Sequence, residues 1–237
     1  MKSKKIIASL LLAGLSSTVM ARAPITYTDW TSASGGGTTA GSASGTMTLS
    51  SGTVNVSYSG ELAFAQVNNG GTQYWTQPNP SSLPYTGNAL VGNAPSTTDI
   101  IALQELGGPT IVDTVSFSQP VLDPIMLINS LGQGGLGVSY LFNQPFNLLG
   151  AGQGYWGGGA TTLTASGNTL TGYEGAGAIE FLGEVSSISW TTEGGEYWNG
   201  LTIGATTAQS TGVPDGGTTV GLLGMTASVL LGLRRKN

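Results

Sequence analysis

Two kinds of side chain in this 237-residue sequence could do chemistry: carboxylates and aromatic rings. Histidine and cysteine are absent, and no Lys or Arg lies between Ala23 and Leu233. Residues 24–212 therefore have no Ser-His-Asp triad, thiol nucleophile, imidazole or thiolate metal site, Schiff-base lysine or cationic phosphate clamp. Eleven acids remain there: Asp29, Glu61, Asp99, Glu105, Asp113, Asp123, Glu174, Glu180, Glu184, Glu193 and Glu196. Eleven acids and no base give a formal charge of −11. Nucleic acid is excluded as a partner of this segment, because phosphate binding needs cationic donors.

Paired carboxyls can hydrolyse glycosides when they flank the bond. The densest acids run from Glu174 to Glu196. Glu180 and Glu184 are four apart, so on one strand they share a face, with Ile179 and Phe181 facing the core. That makes a carboxylate glycosidase the enzymatic alternative. The competing expectation is that Glu180 and Glu184 form a solvated strand face. No cofactor is expected. Calcium is a possible use of these acids, since it needs only oxygen ligands, but no Asp-x-Asp-x-Asp-Gly loop is present, so the signal is weak.

Three of the five tryptophans follow a tyrosine: Tyr74-Trp75, Tyr155-Trp156 and Tyr197-Trp198. Neighbours on a strand point to opposite faces, so each such pair should expose one ring. Tyr155-Trp156 lies in "GQGYWGGGA", where glycine supplies little cover. Exposed rings beside Asn, Gln and carboxylates are what sugar stacking uses. Trp156, Tyr155, Trp198 and Trp75 are thus the candidate stacking residues. Rings capping the ends of a sandwich are the competing reading.

The elements that must position these groups are strands. Charge is only 8%, but 39% of residues are hydrophobic and fall in short runs, which argues for a packed core. Period-two runs from Thr46 to Val67 read as a meander. Further candidates cover 110–118, 121–130, 137–142 and the runs after Ala176. "TTLTASGNTLTGY" reads as a hairpin about Ser166-Gly167-Asn168. The Ser, Gly and Thr stretch 31–45 reads as a mobile loop or linker, and 68–97 as a long excursion. Residues 97–108 could hold a helical turn or two. Many short strands with glycine-rich turns predict an all-β sandwich over 24–212, jelly-roll in topology.

Both ends read as addresses. Lys2, Lys4 and Lys5 precede a ten-residue apolar run, Ile6 to Leu15, the pattern of a secretory signal peptide over 1–23. Cleavage is expected after Ala21 or Ala23. At the other end, Val213-Pro214-Asp215-Gly216-Gly217 breaks any regular element. Thr218 to Leu233 carries no charge and, as a helix, would be roughly 24 Å long against about 30 Å of hydrocarbon. Arg234, Arg235 and Lys236 follow, a cytoplasmic cue by the positive-inside rule. "LPYTG" at Leu83–Gly87 matches a sortase pattern, but no apolar helix and basic tail follow it, so it reads as a loop.

Motif 213–217, transmembrane helix 218–233 and basic tail 234–237 together resemble the PEP-CTERM class of bacterial sorting signals. The match is closest to the Val-Pro-Asp-Ser-Gly variant. Val213, Pro214, Asp215 and Gly217 agree with it, and Gly216 stands in the serine position. The stretch 167–204 also resembles the β-rich ectodomain recurrent in PEP-CTERM proteins. The resemblance implies an exported envelope or matrix protein, processed by an exosortase-type enzyme and associated with exopolysaccharide. A non-enzymatic role is the leading expectation.

Overall fold

The structure is a computed structural model that describes residues 24–76, 84–105, 110–159 and 162–206. The signal-peptide reading (1–23) and the sorting tail, Val213 to Lys236 included, lie outside the described residues.

The described chain is all-β. Its strands are β1 (Ile25–Tyr27), β2 (Asp29–Gly35), β3 (Gly37–Leu49), β4 (Gly52–Leu62) and β5 (Phe64–Gln66). Next come β6 (Ile100–Glu105), β7 (Asp113–Leu122), β8 (Ile125–Leu131), β9 (Val138–Phe142) and β10 (Phe146–Gly152). The last are β11 (Leu163–Ser166), β12 (Thr169–Gly172), β13 (Gly175–Phe181), β14 (Glu184–Glu193) and β15 (Glu196–Thr206).

Pairing shows how they fold. β6 pairs β15, β7 pairs β14, β8 pairs β13 and β9 pairs β12, all antiparallel. These eight strands are one long ribbon. β15 also pairs β8, and β14 pairs β9, so the ribbon wraps into two facing sheets. Their orders, β6-β15-β8-β13 and β7-β14-β9-β12, are those of a jelly roll. β10 and β11 add one strand to each sheet at the ribbon's tip. β5 and β1 extend the first sheet, and β4, β3 and β2 the second.

Between the sheets lies a core rich in rings. Phe142 contacts Phe181, Phe146 and Trp190 at centroid distances of 5.1, 5.2 and 5.7 Å. In β4, Val54, Val56 and Tyr58 face inward while Asn55, Ser57 and Ser59 face solvent, the alternation expected of a half-buried strand. β8 and β13 are buried at every position. Their outer face is covered by the excursion after β5, which lays Trp75, Tyr85 and Val91 on Ile25, Ile100, Ile125 and Leu127 as a second core.

Three expectations are corrected. Residues 31–45 are not a linker: β2 and β3 pair there, with Ser32 opposite Ser44 and Ser34 opposite Ser42. Inward Trp30, Ala43 and Met47 provide enough burial to hold them. Ile100–Glu105 is a strand, not a helical turn, because Ile101 and Leu103 enter the main core while Ile100 enters the second. The gap left between the candidate strands 110–118 and 121–130, at Gln119-Pro120, does not end a strand. β7 continues through it with a register shift against β14, and the chain turns instead at Asp123, whose φ is 45°. Pro84, Tyr85 and Thr86 form a turn, as expected of a loop, with Tyr85 wholly buried.

Candidate aromatic and carboxylate groove

One end of the first sheet gathers the chemistry. There β8 and β10 finish, and β13 and β15 begin. Beyond β10 the chain makes a tight loop in which Gly154 and Gly157 exchange backbone hydrogen bonds of 2.7 and 3.2 Å, leaving Tyr155 and Trp156 at the tip. Gly158 has φ +81°, and a Cβ there would lie 2.2 Å from the Glu174 carbonyl, so this loop needs glycine. The Tyr155 N–H donates to Asn129 Oδ1 at 3.3 Å and ties the loop to β8.

The tip meets two other segments. Tyr74 packs on Tyr155 at 4.9 Å and on Trp198 at 5.0 Å. Trp156 lies 6.0 Å from Trp198 and 6.4 Å from Tyr74. Edge-to-face and tilted packing at such distances is favourable. Trp156 stays 59% exposed and neighbouring Tyr197 69%. Three of the four candidate stacking residues, Trp156, Tyr155 and Trp198, therefore converge.

Trp75 does not join them. It is wholly buried, donates Nε1–H to the Asp99 carbonyl at 3.0 Å and packs on Tyr85 at 5.5 Å. A surface ligand cannot stack on it, because the residues after β5 turn it inward onto the sheet. Its neighbour Tyr74 takes the place in the ring cluster instead.

Beside the rings runs a groove of about 450 Å³ lined by Trp156, Tyr197, Trp198, Glu174, Glu196 and Ser130, among others. Glu196 is 2% exposed. Its Oε1 accepts the N–H groups of Tyr197 and Trp198 at 3.0 and 3.2 Å, while Oε2 is buried with no hydrogen-bond partner. Burial pushes the Glu196 carboxyl above the usual range. Backbone N–H groups of Trp198, Gly132 and Tyr197 pull the other way, and the nearby Glu174 charge adds to the rise. Ser130 donates its hydroxyl to Glu174 Oε1. Both Ser130 and Glu174 hold φ of 65°, a left-handed conformation uncommon for these residue types and costing on the order of 1 kcal/mol each.

The acid pair singled out in the sequence is separated. Glu180 sits on β13 and Glu184 on β14, in different sheets, because Gly183 (φ +83°) turns the chain between them. Glu180 is buried, which raises its carboxyl despite a hydrogen bond to Asn147, and Asp123 adds to the rise. Glu184 is exposed. Both lie at the far end of β13 from the groove. Glu174, Glu196, Ser130, Tyr74 and Tyr197 are what the sequence reading left out of its site. The signal lay in "EGGEYW", where a Gly-Gly turn sets an acid beside a ring pair. Among the described residues no group of three or more acids is placed to hold a metal ion.

Residues 212–236 match the VPDSG-CTERM motif family. The C-terminus is a PEP-CTERM-like sorting signal. It implies export, association with the cell envelope and processing by an exosortase-like system. No curated protein and no solved structure matches the chain. The VPDSG-CTERM match covers the tail and not the jelly roll, so the groove's chemistry rests on its own geometry.

Proposed function

We propose that the jelly roll of this VPDSG-CTERM protein is a non-enzymatic surface or matrix domain that binds exopolysaccharide through the aromatic groove. The convergence of Trp156, Tyr197 and Trp198 on one open groove, with Tyr74 and Tyr155 packed against these tryptophans, carries this reading. Ring faces take the C–H faces of sugars, and the carboxyls and Ser130 beside them offer hydrogen bonds to hydroxyls. A signal peptide cut after Ala21 or Ala23 delivers 24–212 across the membrane. The 218–233 helix then holds it transiently, with Arg234, Arg235 and Lys236 on the cytoplasmic side, until cleavage near Pro214-Asp215. Intact mass of the surface protein reads both cuts, and a chain still running to Asn237 would contradict the second.

Affinity electrophoresis in gels containing the host polysaccharide tests the groove. The wild type should be retarded. Trp156→Ala should bind roughly five- to tenfold more weakly, the equivalent of about 1 kcal/mol for one ring contact. Equal mobility with and without polymer for the wild type would overturn the sugar role.

Glu174 and Glu196 sharing one groove favour a second reading, a glycoside hydrolase. Polymer cleavage abolished by Glu196→Gln would establish it in place of the first.

A further inference from the structure

We infer that the groove selects saccharides bearing a protonated amine, such as a hexosamine unit of an extended polymer, with Glu196 and Glu174 receiving the ammonium beside the stacked ring. This rests on the groove being a sugar site and names the class of sugar.

The groove has two carboxyls and no cation. Between Ala23 and Leu233 there is no Lys or Arg, and histidine is absent throughout. An acidic sugar would meet only like charge there. Glu196 is the independent pointer: it lines the groove yet is 2% exposed, its Oε1 is committed to the Tyr197 and Trp198 N–H groups, the Gly132 N–H also lies near the carboxyl, and its buried Oε2 makes no hydrogen bond. A buried acceptor left unpaired is costly, and more so when charged. A neutral hydroxyl supplies one donor and leaves the charge of the pair in place. An ammonium supplies three donors and a positive charge. The walls suit it as well, since the faces of Trp156 and Trp198 attract cations.

A divalent cation is the rival way to neutralise the pair. Calcium takes six to eight oxygens, whereas the side chains lining this groove offer two carboxyls, one of them with Oε1 already committed to backbone N–H groups, the Ser130 and Tyr197 hydroxyls and the Gln133 amide oxygen. Much of its wall is ring carbon, which coordinates no calcium but does stack on a sugar. At about 450 Å³ the groove is within the size range of small-ligand sites.

Titration calorimetry of the full chain with three tetramers of equal length tests the inference: glucosamine with free amines, N-acetylglucosamine, and a uronic acid. The free-amine tetramer should bind at least tenfold more tightly than the acetylated one, and the uronate should not bind. Glu196→Gln and Glu174→Gln should each reduce the tenfold preference to threefold or less, with thermal midpoints confirming that the variants fold. Glu184→Gln, at the far end of the sandwich, should keep the preference. If Glu184→Gln reduces it as much as Glu196→Gln, net charge is the cause and the inference fails. Loss of the preference in EDTA would overturn it in favour of a bound metal. Equal affinity for free-amine and acetylated tetramers would overturn the amine selectivity alone and leave sugar binding standing. A wild type that binds no tetramer and is not retarded by polysaccharide would overturn both.

Discussion

The two outer faces of the sandwich are built from one composition and end up opposite in character. On the second sheet, Ser32, Ser44, Ser57, Ser116 and Ser187 line up in register across β2, β3, β4, β7 and β14. Beside them runs a parallel row of Ser34, Ser42, Ser59, Thr114 and Ser189. This face is bare: its small hydroxyls point away from the core, and Ser32 and Ser44 hydrogen-bond to each other at 2.7 Å. On the first sheet the corresponding face is closed by Trp75, Tyr85 and Val91 from the chain after β5. The difference shows in the strands, which alternate where one face is wet and are buried throughout where both are covered. The bare face has grooves too, one of about 460 Å³ crossing Ser44, Asn55, Ser57 and Ser116. That groove offers neither an exposed ring nor a carboxylate. The proposed binding groove instead lies at the end of the covered sheet, where exposed rings and carboxyls come together.

The largest effect that could break this comparison is Trp75→Ala. If the cover is a second core, losing this wholly buried ring should cost about 3–5 kcal/mol, read as a fall in the denaturant midpoint. A loss below 1 kcal/mol would make the excursion an ordinary surface loop.

The next effect comes from the inner side of the bare sheet. Asp113 on β7 is 1% exposed and accepts from the Tyr58 hydroxyl at 2.5 Å and the Glu61 N–H at 2.8 Å. Burial drives its pKa from 3.8 up to about 7 against those two hydrogen bonds, with Glu61 adding to the rise. A raised carboxyl pKa means that the folded state holds the proton more tightly. Its contribution to stability is full below about 4 and is lost as pH rises to about 7. Asp99, Glu180 and Glu196 shift in the same direction. The domain should therefore melt higher at pH 5 than at pH 8. Asp113→Asn keeps an oxygen acceptor and cannot ionise. It should flatten that slope by an amount worth a few kcal/mol or less, and an unchanged slope would contradict the assignment.

The smallest effect is on the hydroxyl rows. Ser57→Ala should change stability by less than about 0.5 kcal/mol, because its hydroxyl faces water. A larger loss in thermal melts would mean that the rows form a cooperative network.

The sequence makes the half-buried parts of this fold legible. "GTVNVSYS" alternates, and "TTLTASGNTLTG" yields β11 and β12 about its Gly167-Asn168 turn. What escapes it depends on neighbours distant in the chain. β10 has no alternation to read, and β2 and β3 look like a linker until their serines pair in register. The site divides the same way. Trp156 is exposed because its own loop is glycine, which is local information. Trp75 is buried by a sheet that forms around it, and Glu174 meets Glu196 only when β13 and β15 start at the same end. Glu180 and Glu184 come apart at Leu182-Gly183, a turn signal that spacing alone ignores.

The most direct test of the account sets the groove against the bare face in a single assay. Wild type, Trp156→Ala and the double variant Ser57→Ala/Ser116→Ala should be run together through gels with and without the host polysaccharide. The account predicts equal retardation of wild type and the serine variant, with retardation largely lost in Trp156→Ala. Retardation lost in the serine variant and kept in Trp156→Ala would move the binding site to the hydroxyl face and contradict it.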